Sequence, residues 1–188
     1  MHELQYDVDA DTGVLTPARL CPSPNCDARP QGSAVDLLLL HGISLPPGDY
    51  GSGAIEALFC NRLDFAANPY FARIRGLEVS AHLLIERGGE LTQFVPFTAR
   101  AWHAGESRFR GRRRCNDFSI GIELEGTDTS PYSDVQYAVL GAVTRAIMLA
   151  YPSLSPRRIA AHSDVAPGRK TDPGPAFDWQ RLYDLLTD

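Results

Sequence analysis

A stretch near the carboxyl terminus combines metal-ligating side chains with residues that force turns. Ala161–Pro175 reads AHSDVAPGRKTDPGP and contains His162, Asp172 and Lys170. Its prolines and glycines exclude a helix interior or a central strand, so we predict an ordered loop of the kind that often carries chemistry. We interpret His162 and Asp172 as two zinc ligands and Lys170 as a cation directed at the reacting group. Taken alone, the stretch fits an ordinary surface loop better, so that alternative stays open here.

A catalytic zinc site takes three protein ligands from His, Asp, Glu or Cys and keeps one position for water. The chain has five histidines and no His-Glu-x-x-His motif. His41 and His162 each end an apolar segment at the start of a Gly- and Pro-containing loop. His82 and His103 lie in or beside a predicted hairpin, and His2, near the start of the chain, is the weakest candidate. Spacing alone therefore does not choose among the histidines.

Composition places the chain among single-domain globular proteins. Of its 188 residues, 44% are hydrophobic and 22% charged, and the net charge is −5, which argues against a general nucleic-acid binder. The start of the chain, MHELQYDVDADTG, is polar and acidic, the opposite of a signal peptide, and no apolar run reaches the length of a membrane span. We therefore expect a cytoplasmic protein with no membrane partner. The four cysteines lack Cys-x-x-Cys spacing and are expected to be reduced thiols.

Three patterns predict the strands that position these residues. Val35–His41, VDLLLLH, is almost continuously apolar and indicates a central strand that ends in His41. The runs 80–86 and 90–96 flank Arg-Gly-Gly and predict a hairpin. Residues 118–126, FSIGIELEG, alternate with period two and predict a strand whose polar face carries Glu123 and Glu125.

Helices are predicted at 54–61, 133–151 and 178–186. Ser133 and Gln136 have the spacing of a capping box at the start of the second helix. The residues predicted to form its buried stripe are Val135, Val139, Ala142, Val143, Ala146 and Ala150. Residues 1–34 show no sustained period, so we expect an irregular arm, with at most a short strand near 13–16, packed on one domain at 35–188.

Several segments, in order along nearly the whole chain after residue 20, carry a family resemblance. They are LLLLHGISLPPGDYG, NPYF, VSAHLLIERGGELTQFVPF, RAWHAG, CNDFSIGIELEGTD and APGRKTDPGPAFDW. They resemble the zinc N-acetylmuramoyl-L-alanine amidases, a family that includes phage T7-type lysozyme and the peptidoglycan recognition proteins. The chain is most similar to the AmpD-type members, the cytoplasmic amidases of cell-wall recycling.

The resemblance implies an α/β (α+β) fold, with a mixed central β-sheet flanked by helices and a zinc site at one end of the sheet. It implies one zinc ion per chain, held by His41, His162 and Asp172. It further implies Glu123 as the acid/base residue and Lys170 as the cation that stabilises the oxyanion. The implied reaction is hydrolysis of the amide between 1,6-anhydro-N-acetylmuramic acid and L-alanine in muropeptides.

Substrate contacts are expected around this centre. An arginine of the 108–114 loop, best Arg114, is expected to bind a carboxylate of the stem peptide, because guanidinium pairs bidentately with carboxylates. We expect Trp102 or Tyr50 to contact the sugar. His103 is expected in the core or at the substrate rim. The expected partner is a small muropeptide bound by a monomer, and a polymer would not fit if the 44–77 segment folds over the site.

Two positions depart from the family pattern. Gly42 stands where Asn commonly follows the first metal histidine, and Glu78 stands where relatives have a basic residue. Both bear on fine specificity. Two alternative functions stay open: a lytic amidase acting on intact peptidoglycan, and a muropeptide-binding module without activity, against which the three filled ligand positions argue.

Overall fold

The structure is a computed structural model that describes residues 5–187, so His2 lies outside the described residues. The strands are β1 (Asp7–Asp9), β2 (Val14–Thr16), β3 (Arg19–Leu20), β4 (Cys26–Ala28), β5 (Leu37–Ile43), β6 (Leu83–Ile85), β7 (Leu91–Gln93), β8 (Ala99–Ala101), β9 (Arg108–Phe109), β10 (Arg112–Arg113), β11 (Ser119–Glu125) and β12 (Ile159–Ala161). The α-helices are α1 (Ala54–Phe59), α2 (Pro69–Arg73), α3 (Asp134–Ala150), α4 (His162–Val165) and α5 (Trp179–Thr187).

A six-stranded mixed sheet in the order β12-β5-β11-β6-β7-β3 forms the centre of the molecule. β12, β5, β11 and β6 run parallel, and β7 pairs with β6 in an antiparallel hairpin. Residues 37–40 of β5 are almost fully buried, because helices and loops cover both faces of the strand. The predicted fold class, central strand and hairpin are confirmed.

Strand register aligns the ends of the three parallel strands that matter for chemistry. Glu123 of β11 pairs with His41 of β5, and Ala161 of β12 pairs with Leu40. His162 follows Ala161 directly and therefore reaches the level of His41. Residues at the same level of neighbouring strands project to the same face of a sheet, so one end of this sheet collects all three side chains.

The predicted polar face of β11 is present but does not face solvent. All seven residues of the strand are buried, including Ser119, Glu123 and Glu125. Alternation alone could not distinguish a face covered by loops from a face covered by water. Because buried polar side chains are usually hydrogen-bonded or functional, this face of β11 is a candidate location for the functional site.

Helix α3 begins at the predicted capping box. The Ser133 hydroxyl accepts from the Gln136 amide N–H, and the Gln136 side chain accepts from the Ser133 N–H. The buried stripe was partly wrong: Val135 is 40% exposed. The Gln136 side-chain amide donates to the carbonyl groups of Ile85 and Glu125, which turns position 136 inward and position 135 outward. The other residues of the predicted stripe are buried or partly buried against the core.

The amino-terminal arm is more regular than the sequence predicts. β2 matches the predicted short strand, whereas β1, β3 and β4 pair with β2, β7 and β8 respectively. Strands of two or three residues carry no periodicity, so only their tertiary pairing reveals them. Arg29, just after β4, donates hydrogen bonds to the carbonyl groups of Phe97, Asn116, Asp117 and Ser119. The division into arm and domain stays a prediction. Within residues 5–187, no helix is long and apolar enough to cross a membrane.

Candidate metal and catalytic site

Three ligand-competent atoms meet at the end of the sheet. The Nδ1 atoms of His41 and His162 are 2.9 Å apart, and the Oδ2 atom of Asp172 lies 3.3 Å from the first and 3.1 Å from the second. Atoms bound at about 2.0–2.1 Å to one tetrahedral ion lie ~3.3 Å from each other. The cluster therefore has the size of one face of a zinc coordination tetrahedron.

The backbone around His162 fixes which of its ring nitrogens carries a proton. The His162 Nε2 atom lies 3.2 Å from the carbonyl oxygen of Ala104, which can only accept, so a neutral His162 carries its proton on Nε2. Its Nδ1 lone pair then faces the Asp172 carboxylate. Two electron-rich atoms at this distance repel each other unless a cation lies between them.

His41 is held from behind by His103. The His41 Nε2 atom is 2.9 Å from His103 Nδ1, and His103 Nε2 is 3.3 Å from the Ser119 hydroxyl. Burial lowers the pKa of His103 well below its usual range, so the ring is neutral. With a proton on each Nε2 atom, His41 donates to His103, His103 donates to Ser119, and the Nδ1 lone pair of His41 also faces the cluster.

The electrostatics of the cluster favour a bound cation. Burial lowers the pKa of His41 to about 4, so the ring is neutral at neutral pH and has one nitrogen lone pair available to a cation. Burial raises the pKa of Asp172, but its contacts with His162 and His41 outweigh burial and hold that pKa well below its usual range. Two neutral imidazoles and one carboxylate are a donor set that suits zinc.

Glu123 lies beside the cluster with one oxygen lacking a partner. Its Oε1 atom is 4.0 Å from His41 Nδ1, and its Oε2 atom is buried without a hydrogen bond from any described residue. Burial, reinforced by the negative charge of Asp172 and opposed by Lys170, raises its pKa well above the usual range. A buried carboxyl group with an unpartnered oxygen is suited to carrying a proton.

Glu125, two residues further along β11, is different. One of its carboxylate oxygens accepts from the Gly51 N–H at 2.6 Å and the other from the Arg87 N–H at 3.1 Å. Both oxygens are therefore occupied by backbone groups. Glu125 fastens the 44–53 loop and the hairpin turn to the sheet.

Comparison with known proteins shows what kind of site this is. Residues 31–175 match the family described as N-acetylmuramoyl-L-alanine amidase. The chain is 55% identical over 177 residues to the 1,6-anhydro-N-acetylmuramyl-L-alanine amidase AmpD of Escherichia coli (strain K12), covering 94% of this chain and 96% of that protein.

The chain belongs to the N-acetylmuramoyl-L-alanine amidase family. The resemblance to AmpD-type amidases is thereby confirmed, and the chain is an enzyme of this family. Amidases of the family are in general zinc-dependent, and His41, His162 and Asp172 form a group able to hold a metal ion.

Solved structures agree with this assignment. A crystal structure of a selenomethionine derivative of AmpD matches this amidase with a TM-score of 0.92 at 54% identity, over 95% of this chain and 98% of that chain. The amidase AmiD from E. coli was solved in complex with the substrate anhydro-N-acetylmuramic acid-L-Ala-D-gamma-Glu-L-Lys. It matches with a TM-score of 0.58 at 31% identity, over 84% of this chain and 60% of that chain.

The cluster opens into a cavity of about 820 Å³. Trp102, His103 and Lys170, all named from the sequence, line this cavity together with Glu123 and the cluster itself. The opposite wall was not predicted residue by residue, and it consists of Leu45, Leu58, Phe59, Tyr70, Ile74, Leu77 and Glu78. This wall belongs to the 44–80 region, so the 44–77 segment, which would exclude a polymer if it folds over the site, contributes to the cavity lining.

Two residues expected to contact substrate lie away from this cavity lining. The Arg87 guanidinium covers the Tyr50 ring at 5.2 Å, on the loop fastened by Glu125. Arg114 lines a neighbouring cavity of about 510 Å³ together with Arg108, Arg113 and Arg169. The Arg114 guanidinium lies 3.6 Å from the Asp117 carboxylate, and its role in substrate binding stays a prediction, as does that of Tyr50.

Gly42 is explained by its neighbours in this amidase. A Cβ atom at this position would lie 2.3 Å from the Tyr132 hydroxyl and 3.3 Å from the Pro173 Cα atom. The same hydroxyl donates to the Pro173 carbonyl at 3.0 Å and so holds the residue that follows Asp172. Any larger residue at position 42 has to move Tyr132.

Sequence reasoning missed several residues that organise the site. Ser119 orients His103, Ala104 orients His162, and Arg169 donates to the Ala104 carbonyl oxygen and to that of Glu106. The sequence held one usable signal, the polar position of Ser119 on the same face of β11 as Glu123. The other contacts are made by backbone carbonyl groups, which every residue type has, so the sequence does not indicate them.

Proposed function

We propose that the protein hydrolyses the amide between 1,6-anhydro-N-acetylmuramic acid and L-alanine in soluble muropeptides, using zinc held by His41, His162 and Asp172. The observation that carries the proposal is the three-atom cluster with Glu123 at the same strand level, in a chain 55% identical to an AmpD. The donor set and the distances within the cluster support zinc. The names of that relative and of the AmiD complex support the anhydro-muropeptide.

Zinc, when bound, lowers the pKa of a water molecule and withdraws electron density from the scissile carbonyl. Glu123, whose Oε1 atom lies 4.0 Å from His41 Nδ1, takes the proton of the attacking water on its carboxylate and delivers it to the leaving nitrogen of L-alanine. Burial raises the pKa of Glu123. This favours the protonated form of the side chain between proton transfer from the water and proton transfer to the leaving nitrogen.

Lys170 lines the cavity and its charge acts on both Glu123 and His41. We assign it the stabilisation of the negative charge that develops on the lactyl carbonyl oxygen. His103 and Ser119 hold His41 in the tautomer that presents Nδ1, and Ala104 does the same for His162. These residues act through the ligands and not on the substrate.

We assign substrate binding to the cavity beside the cluster and to the neighbouring cavity lined by Arg114. Trp102 offers a flat apolar surface to the sugar, and the basic cavity at Arg114 lies where a stem peptide with several carboxylates can extend. A cavity bordered by the 44–80 region suits a soluble fragment better than a polymer. We therefore propose a cytoplasmic recycling role, which the similarity to AmpD amidases supports.

The test is incubation of the purified protein with a 1,6-anhydro-muropeptide and, in parallel, with intact sacculi, followed by mass spectrometry. We expect release of the intact stem peptide from the soluble fragment, loss of that release with a chelator, and its return on addition of zinc. Glu123→Gln is the control for contaminating amidases. Equal activity on sacculi would identify a lytic amidase, and binding without cleavage would identify a recognition module.

A further inference from the structure

Two cysteines from distant parts of the chain meet behind the cavity wall. The Sγ atoms of Cys21, just after β3, and Cys60, just after α1, are 3.5 Å apart, although 39 residues separate them in sequence. Both side chains are half-buried. Nothing in the hydrolytic mechanism uses either thiol.

We propose that Cys21 and Cys60 form a redox-sensitive thiol pair that closes to a disulfide on oxidation. A disulfide bond is ~2.0 Å long, so the sulfur atoms have to approach by only ~1.5 Å. The inference concerns thiol chemistry and stands whether or not the proposed hydrolysis is correct.

The surroundings hold the two thiols close without blocking them. The Cys21 N–H donates to the Gln93 carbonyl at the sheet edge, and the Cys60 N–H donates to the Glu56 carbonyl at the end of α1. Half-buried sulfur atoms remain within reach of a small oxidant. Cys26 instead directs its thiol to the Ser23 carbonyl, and Cys115 is fully buried, so neither competes for the pair.

Hydrogen peroxide is a sufficient oxidant. In the proposed reaction one cysteine reacts with the peroxide, and the other then attacks the oxidised sulfur. Burial raises the pKa of Cys21 to about 11, which disfavours its thiolate, and we assign the first step to Cys60. The Cys60 sulfur attacks a peroxide oxygen, the O–O bond breaks, and a sulfenic acid and one water form. The Cys21 sulfur then attacks that sulfur, the S–O bond breaks, and a second water leaves with the Cys21 proton. In total, two thiols are oxidised and one peroxide is reduced to two waters.

The disulfide would connect the sheet edge to the wall of the substrate cavity. Leu58 and Phe59, the last residues of α1, line that cavity, and Cys60 follows them directly. The Phe59 carbonyl already accepts hydrogen bonds from the side chains of Ser23 and Asn25. Oxidation would add a covalent link to this contact and restrict the movement of α1.

The test uses zinc-loaded protein treated with stoichiometric hydrogen peroxide and mapped by non-reducing peptide mass spectrometry. We expect one linked peptide pair containing Cys21 and Cys60, with loss of two hydrogen atoms and full reversal by a dithiol. Cys60→Ser and Cys21→Ser should each abolish the link, whereas the matched control Cys26→Ser should retain it. Links through Cys26 or Cys115, or sulfinic acid at Cys60 without a link, would overturn the proposal.

Two further readouts test the structural consequence. The link closes a 39-residue separation, so the melting temperature should rise by roughly 5–10 °C in the wild type and in Cys26→Ser but not in Cys60→Ser. Amide hydrogen exchange across residues 54–63 should slow in the oxidised form. A fall in the melting temperature would show that the native backbone does not suit the bond, and unchanged exchange would show that the wall is not coupled to it.

Discussion

Two buried glutamates lie two residues apart on β11, and their surroundings differ in kind. Glu123 lines the cavity beside the His41–His162–Asp172 cluster, and its buried Oε2 atom has no hydrogen-bond partner among the described residues. Glu125 has both oxygens occupied by the N–H groups of Gly51 and Arg87. Burial is therefore not what separates the proposed catalytic carboxylate from the structural one. The difference lies in how many of its hydrogen bonds the folded chain already satisfies.

The largest expected effect comes from removing the cluster beside Glu123. Asp172→Ala deletes one of three ligand atoms, so zinc content measured by elemental analysis should fall to background and cleavage should be lost. Asp128→Ala changes another aspartate of the same cavity lining and should keep its zinc. Full zinc occupancy in Asp172→Ala, or in the equivalent His41→Ala and His162→Ala variants, would refute the ligand assignment.

Glu123→Gln should lower the catalytic rate without lowering the stability of the fold. The amide keeps the size of the side chain but cannot take a proton, so kcat should fall by about 10²–10⁴-fold in the zinc-loaded protein. The free energy of unfolding should not fall, because no hydrogen bond to the unpartnered oxygen is lost. Near-normal kcat in a zinc-loaded variant would mean that another group carries the proton.

Lys170→Met tests the role of the cation that lines the same cavity as Glu123. Methionine keeps much of the aliphatic stem and removes the charge, so kcat should fall by about 10²-fold with little change in KM. Lys170→Arg, which keeps the charge, should recover part of the rate. A rise in KM alone would make Lys170 a contact of the bound substrate in its ground state.

Substitution of His103 should have a smaller effect, on zinc affinity, which a second substitution at the same position should restore. Leucine at this position removes the acceptor behind His41 Nε2, so zinc affinity measured by chelator competition should fall by about 10–100-fold. Asparagine places an amide oxygen where His103 Nδ1 lies and should restore most of the affinity. Equal losses in both variants would point to packing, not to orientation of His41.

The smallest effect on rate is expected at the other glutamate. Glu125→Gln leaves one of two backbone N–H groups facing an amide NH₂ group, so the free energy of unfolding should fall by about 1–3 kcal/mol. The kcat value should stay within a few-fold of the wild type. Urea denaturation and steady-state kinetics on Glu123→Gln and Glu125→Gln, side by side, should give opposite patterns, and similar patterns would erase the distinction.

The elements that could be predicted from the sequence are those with their own local signal. The apolar run of β5 and the Ser133 capping box of α3 each determine one element without reference to the rest of the chain. Val135 was misplaced because the inward turn of α3 depends on hydrogen bonds from Gln136 to Ile85 and Glu125. Such contacts exist only in the folded molecule.

The candidate site could be predicted from local sequence signals even less than the secondary-structure elements could. Residue spacing left the choice among His41, His82 and His103 open, and only the family resemblance selected His41. The physical reason is that His41 and His162 are 121 residues apart and meet through the pairing of β5 with β12. The positions of Tyr50 and Arg114 relative to the cavity depend on loop paths, for which residue types alone carry no rule.

The register of β12, β5 and β11 also leads us to expect a particular order of events during folding. His41 and His162 come together only after a pairing that spans 121 residues, and such long-range pairings form late because closing the intervening chain costs entropy. Before that pairing, an incoming ion meets at most His162 and Asp172, ten residues apart. We therefore expect a metal ion to bind the proposed ligands only after the sheet has assembled, unlike in small zinc modules, whose ion directs folding from the start.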